Sequence, residues 1–241
     1  MYGDANTNNF APHRVLVRAE AAAMLVRLFT PGIGNVEGAS HPFGDVREDA
    51  WYAEYVAIAY TEGLVYGRTA VRFAPAGQVT REEFAAMVTR AMGGLVDEEE
   101  MTEIAFADAA LISDWALQYV YSVHYHDWMI GRPNGNFAPL NGLRRSEAAA
   151  TVNRLLGRVV VDTESIAEVF EDIRIFDDVP GPVEEQWFFY YVIEATNSHR
   201  YVRVEIEGAE PDEYGKIPTR EIWIEVFDPW AVVDDDDDDD V

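Results

Sequence analysis

One pattern occurs three times along this chain, at intervals of 63 and 64 residues, and it limits the fold more than any other feature. The tripeptide Phe-Ala-Pro stands at 10–12, 73–75 and 137–139. Eight residues after each Phe comes an arginine (Arg18, Arg81, Arg145), and ten after it a glutamate (Glu20, Glu83, Glu147). Seven residues beyond each glutamate is a further arginine: Arg27, Arg90 and Arg154. Such a register is a repeat. A repeat unit that cannot bury its apolar face alone must pack on its neighbours.

The segment after each motif arginine has helical periodicity. Ala21, Met24, Leu25 and Leu28 share one face in the first copy, Phe84, Met87, Val88 and Ala91 in the second, and Ala148, Val152 and Leu155 in the third. Thr80 and Glu83 have capping-box spacing, which satisfies free amides at a helix start. Val17 and Arg144 hold the capping position in the other copies, so those helices start less securely. All three copies keep the glutamate near the positive end of the helix dipole. Phe-Ala-Pro itself reads as structure, with Phe in the core and Pro setting the turn.

A second repeated half lies upstream. Phe43, Asp45 and Trp51 match Phe106, Asp108 and Trp115. Each tryptophan precedes a loop glycine (Gly67 or Gly131) by 16 residues and the Phe of Phe-Ala-Pro by 22. Trp-led helices rich in Tyr55, Tyr60, Tyr119 and Tyr125 are expected at about 49–62 and 113–126. The chain opens inside a repeat, since Gly3 to Phe10 resembles Gly131 to Phe137 with one extra residue. The missing first half appears late, as Phe176, Asp178, Val179 and Trp187. Half, two wholes and half make three units, and the late half is expected to pack against the early one and close a ring.

Past Ala195 the period becomes that of strands. Val202, Val204 and Ile206 alternate with charged residues, and Ile222, Ile224 and Val226 alternate with Trp223, Glu225 and Phe227. Gly208 to Thr219 reads as the hairpin loop. The expected organisation is 1–30 (second half of a first repeat), 40–93 and 104–158 (whole repeats), 159–175 (connector, with a short helix near Glu164 to Val169), 176–198 (closing half repeat), 199–230 (β-hairpin) and 231–241 (acidic tail).

Charge and composition narrow the function. The net charge is -26, and residues 161–241 carry -20 of it. Nucleic acid is therefore excluded as a partner. The run Asp234 to Asp240 is expected to be a solvated, disordered tail, with cation binding as an alternative role. With no cysteine, disulfides, Cys-ligated zinc and thiol catalysis are out. No run of eighteen apolar residues exists, so no membrane span is expected. No signal peptide is visible at the start, and the mid-repeat opening suggests the C-terminal part of a longer precursor. His124 and His126 are too close in sequence to share a helix face, so no metal site and no cofactor are expected. Plain catalytic motifs are absent, and no carboxylate pair stands out, so an enzyme is not expected; a glycoside hydrolase built on two carboxylates is the weakest alternative.

The residues Phe43-Gly-Asp-Val46, Gly63-Leu-Val-Tyr-Gly67, Gly131-Arg-Pro-Asn-Gly-Asn-Phe137, Arg18-Ala-Glu20 and Thr80-Arg-Glu-Glu83 resemble the S-layer homology domain family, over about residues 3–156 and 176–195. The first and third copies read Val17-Arg-Ala-Glu and Arg144-Arg-Ser-Glu, and Asp127 replaces Gly63 in the third. The resemblance implies a mainly α fold, a pseudo-threefold assembly of three helix-loop-helix repeats, here followed by a C-terminal β-hairpin and acidic tail. It implies a non-catalytic role at the bacterial cell surface, anchoring a protein non-covalently to secondary cell-wall polysaccharide, often pyruvylated.

By motif position the resemblance gives ligand binding to Arg81, Arg18 and Arg145, with Glu83, Glu20, Glu147, Trp51, Trp115, Trp187, Gly67, Gly131 and Asn134 around them. An arginine at a helix N-terminus offers a planar fork to a carboxylate, and tryptophan can stack on a sugar face. Two readings stay open beside this one. The arginines could bridge repeats by ion pairs with carboxylates such as Asp45 or Asp108, and the tryptophans could pack between units. The whole domain could instead be a self-assembly or protein-interaction module of a surface layer.

Overall fold

The computed structural model describes residues 7–29, 38–102, 104–158, 162–182, 187–206, 208–210 and 219–227. The expectations for the aspartate run, for most of the hairpin loop, for residues 159–161 of the connector and for the first six residues lie outside these. The fold is mostly helical, with one small antiparallel sheet. Its α-helices are α1 (Arg18–Phe29), α2 (Ala53–Thr61), α3 (Arg81–Met92), α4 (Leu117–Tyr125), α5 (Arg145–Leu155) and α6 (Phe189–Thr196), and its strands are β1 (Ser198–Glu205) and β2 (Thr219–Phe227). Among the described residues no helix is long and apolar enough to cross a membrane. The chain divides into two compact units: Pro12–Thr151, and Met1–Ala11 together with Val152–Val241.

In the unit of Pro12–Thr151, α1 packs on α2 and α3 on α4. The α1 contacts are made by small side chains: Ala19, Ala21, Ala22 and Ala23 are buried beside Leu25 and Val26. Thr80 and Glu83 form the expected capping box at α3. The other two starts keep half of it, because Glu20 accepts from the Val17 amide at 3.1 Å and Glu147 from the Arg144 amide at 2.8 Å. The residues before the three motif arginines are tied in a closed cycle of backbone bonds. Leu16 N–H donates to Leu143 O (2.9 Å), Leu143 to Val79 (2.9 Å) and Val79 to Leu16 (3.0 Å). All three side chains are buried, so no water competes for these bonds.

Each Phe-Ala-Pro is clasped by the aspartate of its repeat's first half. Asp45 accepts from the Phe73 and Ala74 amides, both at 2.8 Å, and Asp108 from Phe137 and Ala138 at 2.7 and 2.8 Å. The clasp requires a turn that presents two successive amides to one carboxylate. Its middle alanine is therefore left-handed, with φ 62° at Ala74 and 59° at Ala138. Phe73 and Phe137 are fully buried against Phe43 and Phe106, with ring centroids 5.5 and 5.3 Å apart. Burial of each such ring contributes on the order of 2–3 kcal/mol.

The tryptophans do not open helices as expected. Trp51 lies in a turn before α2, and Trp115 in the 3-10 turn Asp114–Ala116 before α4. The positions ahead of these helices, Tyr52 and Ala116, have no side-chain cap, and the chain enters through tighter bonds such as Ala53 N–H to Ala50 O (2.9 Å) and Ala116 N–H to Ser113 O (2.8 Å).

In the second unit, Asp178 clasps Phe10 and Ala11 at 2.8 and 2.7 Å, as Asp45 and Asp108 clasp their own partners, and Ala11 is again left-handed, with φ 56°. Phe10 and Ala11 are thus hydrogen-bonded to the late half repeat. Asn153 Nδ2 donates to Tyr191 O at 2.9 Å, linking the last turns of α5 to α6. The short helix expected near Glu164 is a 3-10 helix, Glu164–Asp172, and β2 packs on it. The strands pair antiparallel with Val202 opposite Ile222. Val202 and Ile224 point outward, while Glu221 and Trp223 form the buried face of β2. The large indole supplies the apolar area, and one residue of register decides which set faces in.

Candidate functional site

The motif arginines begin α1, α3 and α5, where the backbone cycle holds them. Arg18 and Arg81 are 3% and 4% exposed. Arg81 donates through Nε to Phe137 O (2.6 Å) and through Nη2 to Ile130 O (3.1 Å), and its Nη1 meets Glu147 Oε1 at 3.0 Å. Arg18 does the same one repeat earlier, to Phe73 O (2.9 Å) and Tyr66 O (2.6 Å), with Nη1 3.3 Å from Glu83 Oε1. Each guanidinium lies over the phenylalanine whose carbonyl it holds, at 4.7 Å for Phe73 and 4.8 Å for Phe137. Arg145 is equally buried, and its charge helps to hold Glu20 ionised. Burial lowers the pKa of Arg18 and of Arg81, and the carboxylates of Glu83 and Glu147 oppose it. Arg18 and Arg81 do bridge repeats, but through the next copy's motif glutamate.

Each glutamate also holds a second arginine nearer the surface. Glu83 binds Arg68 at 3.1 Å, Glu147 binds Arg132 at 3.1 Å and Glu20 binds Arg14 at 2.8 Å. The outer side chains are 41%, 29% and 38% exposed, against 3% and 5% for Arg18 and Arg81. Solvent, and a solute, can reach these three. Sequence reading missed them, although a signal exists: Arg68 and Arg132 directly follow the matched glycines Gly67 and Gly131. On Glu83 and Glu147 two guanidinium groups share one carboxylate, so the outer arginine is not fully neutralised by it.

Arg132 also lines a cleft of about 320 Å³, with Asp108, Asn134, Asn136, Leu111, Leu140 and the 138–141 turn. Asn134 Oδ1 accepts from the Asn136 amide at 3.2 Å, which shapes the Gly131 loop, and Asn134 is exposed. Leu111 and Leu140 are 59% and 57% exposed, an apolar wall facing amide and guanidinium groups. A mixed surface of this kind suits a sugar ring with an attached anion.

Of the residues singled out in sequence, the structure gathers Arg81, Glu147 and Asn134 around Arg132. Trp115 and Gly131 do not line the cleft. Trp51, Trp115 and Trp187 are 60%, 52% and 54% exposed, each in the turn before its helix. Gly67 and Gly131 lie against Phe43 and Phe106, where a Cβ would come within 2.5 and 2.7 Å of the rings. Their lack of a side chain serves loop packing.

Clasped half-units, a buried arginine at each repeated helix start and a paired motif glutamate define a repeat domain with a polar groove. The family model of the S-layer homology domain matches residues 42–85 and 105–149. The chain carries two S-layer homology repeats there. It is similar to cell surface glycoprotein 1 of Acetivibrio thermocellus, 26% identical over 80% of this chain and 8% of the relative. It is similar to the cellulosome-anchoring protein of the same organism, 25% identical over 83% of this chain and 42% of the relative. An amylopullulanase of Thermoanaerobacterium thermosulfurigenes is 35% identical over 61% of this chain and 8% of its own length. The chain thus spans less than half the length of these relatives.

Proposed function

We propose that this chain anchors a surface protein non-covalently to the bacterial cell wall by binding secondary cell-wall polysaccharide. The observation that carries the reading is the Arg81–Glu147–Arg132 cluster beside the 320 Å³ cleft. Arg132 presents a planar fork to a carboxylate such as a pyruvyl group, while Glu147 and Arg81 hold it in place. Asn134 and Asn136 supply partners for sugar hydroxyls, and Leu111 and Leu140 take the ring's apolar face. In this reading Arg18 with Glu83 and Arg145 with Glu20 serve equivalent grooves in a pseudo-threefold assembly, and the third unit is the pair of half repeats joined through Asp178. Trp51, Trp115 and Trp187 offer exposed faces for further sugar rings along the polymer. Anchoring, rather than catalysis, agrees with the names of the cell-surface and cellulosome-anchoring relatives.

The experiment is co-sedimentation with purified cell-wall sacculi, intact and stripped of their secondary polymer, with a third sample treated to remove pyruvyl ketals. Binding to intact sacculi alone is expected. Equal binding to intact and stripped sacculi, or none to either, would sink the proposal. Self-association without sacculus binding would favour the surface-layer module.

A further inference from the structure

The C-terminal hairpin contributes to a buried cluster that the anchoring function does not use. Glu194 at the end of α6, His199 in β1 and Glu221 in β2 each point a ligand atom to one spot, and these atoms lie within 4.8 Å of one another. Glu194 and Glu221 are each 1% exposed, and the His199 side chain is 4% exposed. Trp223 stacks on the imidazole at 3.6 Å and closes the site from that side.

The hydrogen bonding leaves acceptors facing acceptors. His199 Nδ1 lies 3.1 Å from Asn197 O, and a carbonyl can only accept, so Nδ1 carries the proton. Nε2 then presents a lone pair, and it faces Glu194 Oε1 at 3.5 Å. Both carboxylate oxygens of Glu194 and Oε2 of Glu221 are buried without a hydrogen-bond partner. Arg203 satisfies Glu221 only through Oε1, at 2.9 Å. Arg158 Nη1 stands 3.4 Å from Glu194 Oε1, and the Trp223 indole N–H lies on the same carboxyl outside hydrogen-bond geometry. Buried lone pairs of this number, turned toward one another, repel unless a cation or a proton sits among them.

We propose that Glu194, His199 and Glu221 bind a divalent transition-metal ion of the zinc class, which staples α6 to both strands of the hairpin. The chemistry of the donors selects the ion: one imidazole nitrogen and two carboxylate oxygens suit zinc or cobalt better than calcium or magnesium, which take oxygen alone. A ligating histidine usually gives its other N–H to a backbone carbonyl or carboxylate, which fixes the ring's orientation on the ion. No sequence motif announces the site, because its ligands come from a helix and two strands.

The test is zinc calorimetry on the full chain in excess calcium, added to compete for the terminal aspartates, together with the visible absorption of the cobalt-loaded protein. One zinc per chain and the absorption of four- or five-coordinate cobalt with a nitrogen ligand are expected. His199→Gln and Glu221→Gln should each weaken zinc at least about tenfold. Metal-free far-UV circular dichroism of each variant checks that it is folded. Zinc uptake unchanged by both substitutions would place the ion elsewhere and overturn the proposal. So would no uptake at all.

Discussion

The carboxylate of Asp178 accepts the backbone N–H of Phe10 at 2.8 Å, across 168 residues of chain. Its other oxygen takes Ala11 N–H at 2.7 Å. Asp178→Ala removes both acceptors and leaves two part-buried amides unsatisfied, at about 1–3 kcal/mol each. A loss of about 3 kcal/mol is expected in urea denaturation, with faster proteolytic trimming ahead of Pro12. Asp178→Asn, which keeps one acceptor, should fall between the two. An unchanged midpoint in both variants would show that the early half repeat does not depend on this clasp.

The inner and outer arginines should separate by what their loss does. Arg81→Ala leaves Glu147 short of a partner and strips hydrogen bonds from Phe137 O and Ile130 O, so a destabilisation of about 3 kcal/mol or more is expected. Arg132 is partly exposed, and Arg132→Ala should cost within about 1 kcal/mol of stability. On the proposed function, Arg132→Ala nevertheless lowers sacculus binding. Arg81→Ala should weaken binding more than Arg18→Ala, because Arg81 backs the Asn134 cleft. Denaturation and co-sedimentation on the same samples decide both points, and retention of full binding by Arg132→Ala would remove it from the site.

Acid should erase the contribution of the Asp45 clasp. Burial pushes the Asp45 carboxyl up, but the Phe73 and Ala74 amides outweigh it and hold the pKa below its ordinary 3.8. For Glu20, burial is likewise outweighed, by Arg14, the Val17 amide and Arg145, and its pKa falls below 4.5. A folded pKa below the unfolded one means stability that is present above the unfolded value and is lost as pH falls through the folded one. The gap in unfolding free energy between the wild type and Asp45→Ala is therefore expected to be constant above about pH 5 and to shrink below about pH 4. The comparison between variants cancels the relief of general charge repulsion that acid brings to so acidic a chain. A gap that stays constant to the lowest workable pH would refute the assignment.

Much of this was legible because local rules and contacts agree. Thr80 and Glu83 announced their capping box, and Phe176 with Asp178 announced the late half repeat, since each signal lies within a few residues of chain. The pairing of Arg18 with Glu83 and of Arg81 with Glu147 was not legible, because those partners lie 65 and 66 residues apart and meet only across repeats. Helix-start arithmetic alone made Arg81 look available to a ligand, whereas packing has spent its donors on carbonyls. The inward face of β2 was equally hidden: alternation identifies two faces, and only the 3-10 helix beneath decides that Trp223 and Glu221 are the buried set.

Asp127 tests the backbone directly. Gly63 follows α2 with φ 70°, and Asp127 follows α4 at the same position with φ 55°. Glycine takes this left-handed conformation freely, while a residue with a Cβ is strained there by roughly 1 kcal/mol. Among the described residues Asp127 makes no side-chain hydrogen bond that would offset the strain, and it adds negative charge at the carbonyl end of α4, which the helix dipole disfavours. Asp127→Gly is therefore expected to stabilise the protein by about 1 kcal/mol, and Gly63→Asp to destabilise it by a similar amount. Both are surface changes that leave the Asn134 cleft untouched, so the thermal midpoint should move without any change in sacculus binding. If Asp127→Gly lowers the midpoint instead, the aspartate side chain must hold an interaction that its backbone conformation does not reveal.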